Sequence, residues 1–485
     1  MFFDKWKKKM IYTMTSVFLV VVLCSNVVKA AETAEPIDTR SPVESAISTE
    51  AAYAMTVDSN GWDQWPKGPQ TYGEANIVMD ADTGTILYAK NIDGKAYPAS
   101  ITKILTMLVA LENGKLEDTV TFSSESVYSV PYGYAHIAMK ENEEIKLEDA
   151  LYGMMLASAN EVAYSIGESI GQNLGKDYNW FIEKMNERCK ELGGVNSNFV
   201  NTNGLEDENH YTTARDMALI TQELLINHPE FEEVCQTLQY TIPETNLTNE
   251  TRTFQQNHKM FYKSNEHYDE RVIAGKTGYT EKAFNTLVTC ADDGNMRLIC
   301  VNLKTHGPNV YLDTENLLNY GFDNFEQIDV SASTLEKSKA ISSYIGNTSI
   351  TVPKGVTFDD LKVKVVDNAD HKTAKVIYSY NDTIVGELKV ELSQSYIDET
   401  YPKNEESNPS NEKSQIPLKK FIIYGLVGIV TVIAVLGIIL IVLIIRKKRK
   451  IRERKRRKQA AMRKRRMQEE RRRMQQEIEE QRRRF

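Results

Sequence analysis

Three short groups of residues carry side chains able to do chemistry. Ser100 and Lys103, in Ser100-Ile-Thr-Lys103, stand three residues apart, so on a helix the amine lies on the same face as the hydroxyl. Pro98-Ala-Ser100 opens an apolar run, which puts the hydroxyl at a helix N-terminus, where the dipole favours an oxyanion. A serine hydroxyl is a poor nucleophile at neutral pH and requires a base; a lysine that is desolvated and close to a second cation can supply one. Ser158-Ala-Asn160 and Lys276-Thr-Gly278 follow in order, and Lys276 is the candidate second cation. Nucleophilic acyl transfer through Ser100 is the chemistry these residues point to. Each also has a plainer reading: Ser100 as a helix cap, Lys103 as a snorkelling side chain, Ser158-Ala-Asn160 as a cap, Lys276 as a strand-end cation in solvent.

The elements that must position these groups can be read from pattern. Ala75–Asp80 and Thr85–Ala89 are β-rich runs around the turn sequence Ala81-Asp-Thr-Gly84, which predicts a hairpin. In the run after Ser100, Ile101, Ile104, Leu105, Leu108, Val109 and Leu111 cover most of a helix circumference, as in a helix buried in a large core. Helical patterns dominate from Leu147 to about His228, including Phe181–Leu192. Strands return at Arg271–Gly275, leading into Lys276, and in a second hairpin, 285–290 with 297–303, around Asp292-Asp-Gly294. Both ends of the segment supply strands and its middle supplies helices, so one sheet must be assembled from both ends. Beyond about Ser331, the runs 348–352, 361–366, 374–380 and 384–392 predict a small β domain.

In that order and spacing, the three groups resemble the SxxK, SxN and KTG elements of the penicillin-binding and serine β-lactamase superfamily. More narrowly, the chain is similar to the low-molecular-mass D-alanyl-D-alanine carboxypeptidases (peptidase family S11), through Tyr97-Pro-Ala-Ser-Ile-Thr-Lys-Ile-Leu-Thr106, Phe199-Val-Asn-Thr-Asn-Gly-Leu205, Tyr211-Thr-Thr-Ala-Arg-Asp-Met-Ala218 and Gly275-Lys-Thr-Gly-Tyr-Thr-Glu-Lys-Ala283. The resemblance covers about Trp65 to Leu392. It implies an α/β (α+β) DD-peptidase-like fold, a sheet flanked by helices, followed by a small all-β domain. It also implies an enzyme that removes the terminal D-Ala from peptidoglycan stem peptides through a Ser100 acyl-enzyme, with β-lactams as covalent inhibitors. The implied roles are Lys103 as general base, Ser158 as proton relay to the departing amine, and Asn160 holding Lys103 and the substrate amide. Lys276 and Thr277 would bind the terminal carboxylate, Gly278 would let the ligand backbone approach, and the amides of Ser100 and Tyr279 would form the oxyanion hole. A DD-transpeptidase would share every residue, and a β-lactam-acylated membrane sensor is a third reading. Ser158-Ala-Asn160 differs from the Ser-Asp-Asn of class A β-lactamases, and no Glu-x-x-Leu-Asn segment is evident, which argues against an antibiotic-degrading enzyme. No cofactor is expected. Some relatives use an arginine between the second and third motifs; Arg252 is left unassigned.

The 485 residues are 41% hydrophobic and 26% charged, which excludes a wholly disordered or collagenous chain. The net charge of −8 hides a partition: residues 446–485 carry 21 Lys and Arg against 6 Asp and Glu, residues 1–30 carry +4, and residues 31–445 hold −27. Lys5, Lys7, Lys8 and Lys9 precede an apolar run ending in Val28-Lys29-Ala30, the pattern of a secretory signal peptide at 1–30. Residues 421–445 carry no charge and are long enough to cross a hydrocarbon core of about 30 Å. Arg446-Lys-Lys-Arg-Lys450 follows, which orients the tail to the cytoplasm. The organisation expected is therefore signal peptide 1–30, low-complexity segment 31–70, catalytic domain 71–328, β domain 329–400, stalk 401–420, transmembrane helix 421–445 and basic tail 446–485. The catalytic body is expected on the cell-wall side of the membrane. Anionic lipid or a cytoplasmic protein is the expected partner of the tail, with nucleic acid disfavoured. Cys189, Cys235, Cys290 and Cys300 allow three full pairings, which spacing does not decide. No cluster has metal-ligand spacing, and His210 and His306 stand alone, as structural or solvated histidines do.

Overall fold

The computed structural model describes residues 47–401, all within one compact unit. After helix α1 (Thr49–Tyr53), strands β1 (Gly73–Asp80) and β2 (Ile86–Lys90) form the first hairpin. Its turn is closed by Asp80 Oδ1, which accepts from the amides of Asp82 and Thr83, at 2.8 and 2.9 Å. Seven helices follow: α2 (Thr102–Asn113), α3 (Ser124–Tyr128), α4 (Leu147–Met155), α5 (Asn160–Asn173), α6 (Tyr178–Glu191), α7 (Ala214–Asn227) and α8 (Glu230–Gln236). Two small antiparallel pairs lie among and after them, β3 (Thr119–Thr121) with β4 (Glu144–Lys146) and β5 (Gln239–Ile242) with β6 (Arg252–Gln255). The chain then returns as β7 (Val272–Thr280), β8 (Phe284–Asp292) and β9 (Arg297–Thr305). One antiparallel sheet results, in the order β2-β1-β9-β8-β7. Strands from both ends thus share a sheet, and β7, which carries Lys276, is left at its edge.

Helix α2 is buried from Thr102 to Ala110. A helix enclosed on all sides must satisfy its polar side chains inside the protein: Thr106 donates to the Thr202 carbonyl at 2.6 Å, and Thr102 to that of Ala99 at 2.9 Å. The apolar core around it draws on α4, α5, α7 and one face of the sheet. Ordered chain extends upstream of residue 71, because the segment after α1 is strapped to the sheet. Trp65 is buried and its Nε1 donates to the Leu87 carbonyl at 2.8 Å.

The other face of the sheet is covered by α9 (Val310–Asn324), which leads directly into β10 (Phe325–Asp329). Here β10 pairs with β12 (Ser349–Pro353), and α10 (Ser331–Lys337) lies between them in sequence. A four-stranded sheet has the order β11 (Ile341–Ile345), β15 (Thr383–Leu392), β14 (Thr373–Tyr380), β13 (Leu361–Asp367), before α11 (Gln394–Thr400). The β section therefore begins at Phe325 and shares an apolar core with the first sheet, including Trp65, Leu298, Phe325 and Val352. A unit of that size is marginal alone, and the shared core adds to its own buried residues, such as Val376, Tyr378 and Val390. A polar seam adds to it: the buried Asp80 carboxylate accepts from Thr351 Oγ1 at 2.8 Å and Gln327 Nε2 at 2.9 Å.

Among the described residues, Cys189, Cys235, Cys290 and Cys300 are all free and buried. Cys290 and Cys300 lie on neighbouring strands but face opposite cores. The segments assigned to the signal peptide, the transmembrane span and the basic tail, and all but the first residue of the stalk, lie outside the described residues. Among the described residues, no helix is long and apolar enough to cross a membrane.

Candidate active site

Ser100 lies in a single 3-10 turn, Ala99–Ile101, that runs into α2. Ala99 has φ +50°, a left-handed conformation that a residue with a side chain adopts at a cost. Its surroundings hold it there. Thr102 Oγ1 donates to the Ala99 carbonyl and lies 2.9 Å from His210 Nε2. His210 Nδ1 in turn accepts from the Val200 amide at 3.1 Å. With Nδ1 an acceptor, Nε2 carries the proton and the ring is neutral, in keeping with burial pushing its pKa down to about 3. Two glycines permit close backbone contact. A Cβ at Gly204, φ +88°, would stand 1.8 Å from the Ala99 oxygen, and one at Gly278 would stand 2.9 Å from the Ser100 nitrogen.

Lys103 Nζ is wholly buried, 2.9 Å from Ser100 Oγ, 2.8 Å from Asn160 Oδ1 and 2.7 Å from the Asn203 carbonyl. Its pKa lies well below the ordinary lysine range, first because of burial and then because of the Lys276 charge, against a smaller opposing effect of Glu161. A neutral amine has two N–H donors and one lone pair. The two carbonyl oxygens accept from the donors, which leaves the lone pair to take a proton from the Ser100 hydroxyl. The amide of Asn160 is held in the required sense: its Nδ2 and its backbone N–H both donate to the Ala135 carbonyl at 3.0 Å, so Oδ1 faces Lys103.

Ser158 precedes α5 with φ +60°, which turns its hydroxyl toward Lys276, 3.0 Å from Nζ. Lys276 Nζ also donates to the Thr277 carbonyl at 3.0 Å, and burial lowers its pKa to about 7. Thr277 is half-buried, and Tyr279 is 62% exposed beyond Gly278 on the same edge strand.

Ser100, Lys103, Ser158, Asn160 and Lys276 thus converge, with Thr277, Gly278 and Tyr279 following along β7. Other contributors carry no signal in residue type: the carbonyls of Asn203 and Ala135 are backbone groups. Asn203 is brought in by a loop in which Asn201 Oδ1 accepts from the Gly204 amide at 2.7 Å. That loop lies in one of the strings carrying the family resemblance, which was the available signal. Thr286 Oγ1 adds a bond to the Pro98 carbonyl at 2.9 Å. Arg252 instead pairs with buried Glu143 at 2.8 Å, closing the turn before β4. His306 stacks on Phe284 and lies 3.4 Å from Glu74, a structural role.

A helix-flanked antiparallel sheet carrying two serine–lysine contacts beside its open edge defines an active-site serine peptidase of the penicillin-binding class. The chain belongs to the D-alanyl-D-alanine carboxypeptidase family (peptidase S11), whose model matches residues 63–307, and it is an enzyme of that kind. It is 30% identical over 311 residues to the D-alanyl-D-alanine carboxypeptidase DacA of Haemophilus influenzae, covering 59% of this chain and 74% of that protein. It is 31% identical to DacF of Bacillus subtilis, covering 60% of this chain and 76% of that one. Among solved structures, penicillin-binding protein 5 of Haemophilus influenzae aligns with a TM-score of 0.54 at 23% identity, over 67% of this chain and 98% of that one, a likeness of fold.

Proposed function

We propose that the chain is a membrane-anchored enzyme that removes the terminal D-Ala from peptidoglycan stem peptides through an ester on Ser100, and that penicillin acylates the same serine. The observation that carries this reading is the 2.9 Å approach of Lys103 Nζ to Ser100 Oγ in a buried site beside Lys276. Lys103 takes the hydroxyl proton as Ser100 Oγ attacks the carbonyl carbon of the penultimate D-Ala. The N–H groups of Ser100 and Tyr279 hold the developing oxyanion. The amide C–N bond then breaks, and the departing amine receives its proton through the Ser158 hydroxyl. Lys276 and Thr277 hold the carboxylate of the leaving D-Ala, which requires Lys276 to carry its proton while Lys103 does not. Water attacks the ester in the second half, with Lys103 again the base.

The anchoring proposal rests on sequence: the basic N-terminal segment with its apolar run, the uncharged stretch 421–445 and the +15 tail support an exported body with a cytoplasmic C-terminus. The tail is proposed to rest on anionic lipid. The decisive assay uses the detergent-solubilised full chain and a pentapeptide ending in D-Ala-D-Ala: D-Ala is released by wild type and not by Ser100→Ala. Release that persists in Ser100→Ala would overturn the reading.

A further inference from the structure

Asn160 and Glu161 open α5 side by side, and both hold the same stretch of chain. The backbone and side-chain N–H groups of Asn160 donate to the Ala135 carbonyl. Two residues further on, the Ile137 amide donates to Glu161 Oε1 at 2.7 Å. That stretch stands out from the body of the protein: Tyr128, Tyr132, Ala135, His136 and Ala138 are all exposed. The Ile137 side chain packs partly against the core and keeps the loop near α5, but a loop this open has little packing to fix its backbone. Glu161, in contrast, is 2% exposed. Burying a carboxyl is unfavourable unless it is hydrogen-bonded. Its Oε2 is buried with no partner among the described residues, so the bonding of this side chain is directed at the loop.

The loop backbone matters because the two ends of the Asn160 amide have nearly the same shape. Only the NH2 end can donate to the Ala135 carbonyl, and that contact turns the oxygen toward Lys103. With the carbonyl displaced, the amide would be free to turn and present its own N–H to the Lys103 amine. The lone pair that serves Ser100 would then be occupied by Asn160. We propose that Glu161 is a positioning residue for the Ser100–Lys103 pair: through Ile137 it holds the Ala135 carbonyl on Asn160, and so keeps the lone pair of Lys103 directed at Ser100. The inference rests on the reading of Lys103 as the base.

The test follows acylation of the full chain in detergent by a fluorescent penicillin, per folded molecule and across penicillin concentrations, together with hydrogen exchange of residues 129–139 by mass spectrometry. Glu161→Ala should speed exchange in that stretch and lower the limiting acylation rate by about tenfold to a hundredfold, the scale of a misplaced group. The half-saturating penicillin concentration should stay near that of wild type. Loss of a carboxylate charge alone would act in the opposite sense, because Glu161 raises the Lys103 pKa. Glu161→Gln keeps an oxygen for the Ile137 amide and should restore both rate and protection. Should Glu161→Ala fail to fold, Ile137→Pro removes the donor, leaves the carboxyl in place and should show the same two effects. A limiting rate that these variants leave unchanged, or lower without faster exchange, would overturn the positioning role while leaving the peptidase reading intact, as would an equal loss in Glu161→Gln. Wild type that is not acylated on Ser100 would overturn the peptidase reading and the inference with it.

Discussion

Lys90 and Lys103 are both wholly buried, yet they sit in opposite electrostatic settings. Lys90 Nζ donates to the Ala52 carbonyl at 2.9 Å, the Thr71 carbonyl at 2.7 Å and Thr71 Oγ1 at 3.0 Å. Three acceptors match the three donors of an ammonium. Burial lowers its pKa, but Asp313, Glu74 and Asp58 oppose that, leaving it at about 8. Lys103 meets two carbonyl oxygens and one hydroxyl, and the nearby charge of Lys276 adds to burial instead of opposing it. The same residue type, inaccessible to solvent in both places, is held as a clamp in one and is set up in the other for the base role proposed for Lys103. Burial weakens the proton, and the neighbouring charges decide whether it stays.

The largest expected effect comes from exchanging each lysine for methionine. Lys103→Met should slow acylation by a fluorescent penicillin by about a thousandfold or more, the scale of a lost general base. Lys90→Met should leave kcat per folded molecule unchanged. Comparable losses of kcat in both variants would erase the distinction.

The next effect is on stability. Lys90→Met leaves the Ala52 and Thr71 carbonyls without their donor, at a cost of about 2 kcal/mol, so Tm should fall by about 5 °C. The sign with pH is also fixed. The folded pKa of Lys90 lies below the unfolded value, so between about pH 8 and 10.5 the unfolded chain binds more protons. Wild type should therefore gain stability relative to Lys90→Met as pH rises through that window. Denaturant melts at pH 7.5 and 10 check this, and a gap that narrows with pH would contradict it.

The smallest effect is a shift in pH profile. Lys276 helps to lower the Lys103 pKa, so Lys276→Met should let Lys103 keep its proton to higher pH. The acid limb of acylation should move to higher pH. Lys90→Met should leave that limb where it is, and a limb that moves equally in both variants would show that the charges act without regard to position.

What sequence could reveal followed from periodicity and spacing. The two hairpins announce themselves by β-rich runs around Ala81-Asp-Thr-Gly84 and Asp292-Asp-Gly294, and Ser100 and Lys103 meet because a helix brings i and i+3 together. The contact of Ser158 with Lys276 depends on the left-handed turn at Ser158, and no propensity announces a positive φ at a serine. Strands β10 and β11 went unread because Phe325-Glu-Gln-Ile-Asp329 and Ile341-Ser-Ser-Tyr-Ile345 each hold too few apolar residues to set a period. His210 looked isolated because its partners, Thr102 and Val200, act through a hydroxyl and a backbone amide. Lys90 carries no signal in the sequence, since the strap that buries it reaches its amine through the backbone carbonyls of Ala52 and Thr71.

The site contains two serine–lysine pairs, Ser100 with Lys103 at 2.9 Å and Ser158 with Lys276 at 3.0 Å, and the first is the proposed source of the nucleophile. Mapping the adduct by peptide mass spectrometry, after the full chain in detergent has reacted with penicillin at pH 7, tests that assignment most directly. One acyl group is expected, on Ser100. An adduct on Ser158, or one that persists in Ser100→Ala, would contradict it.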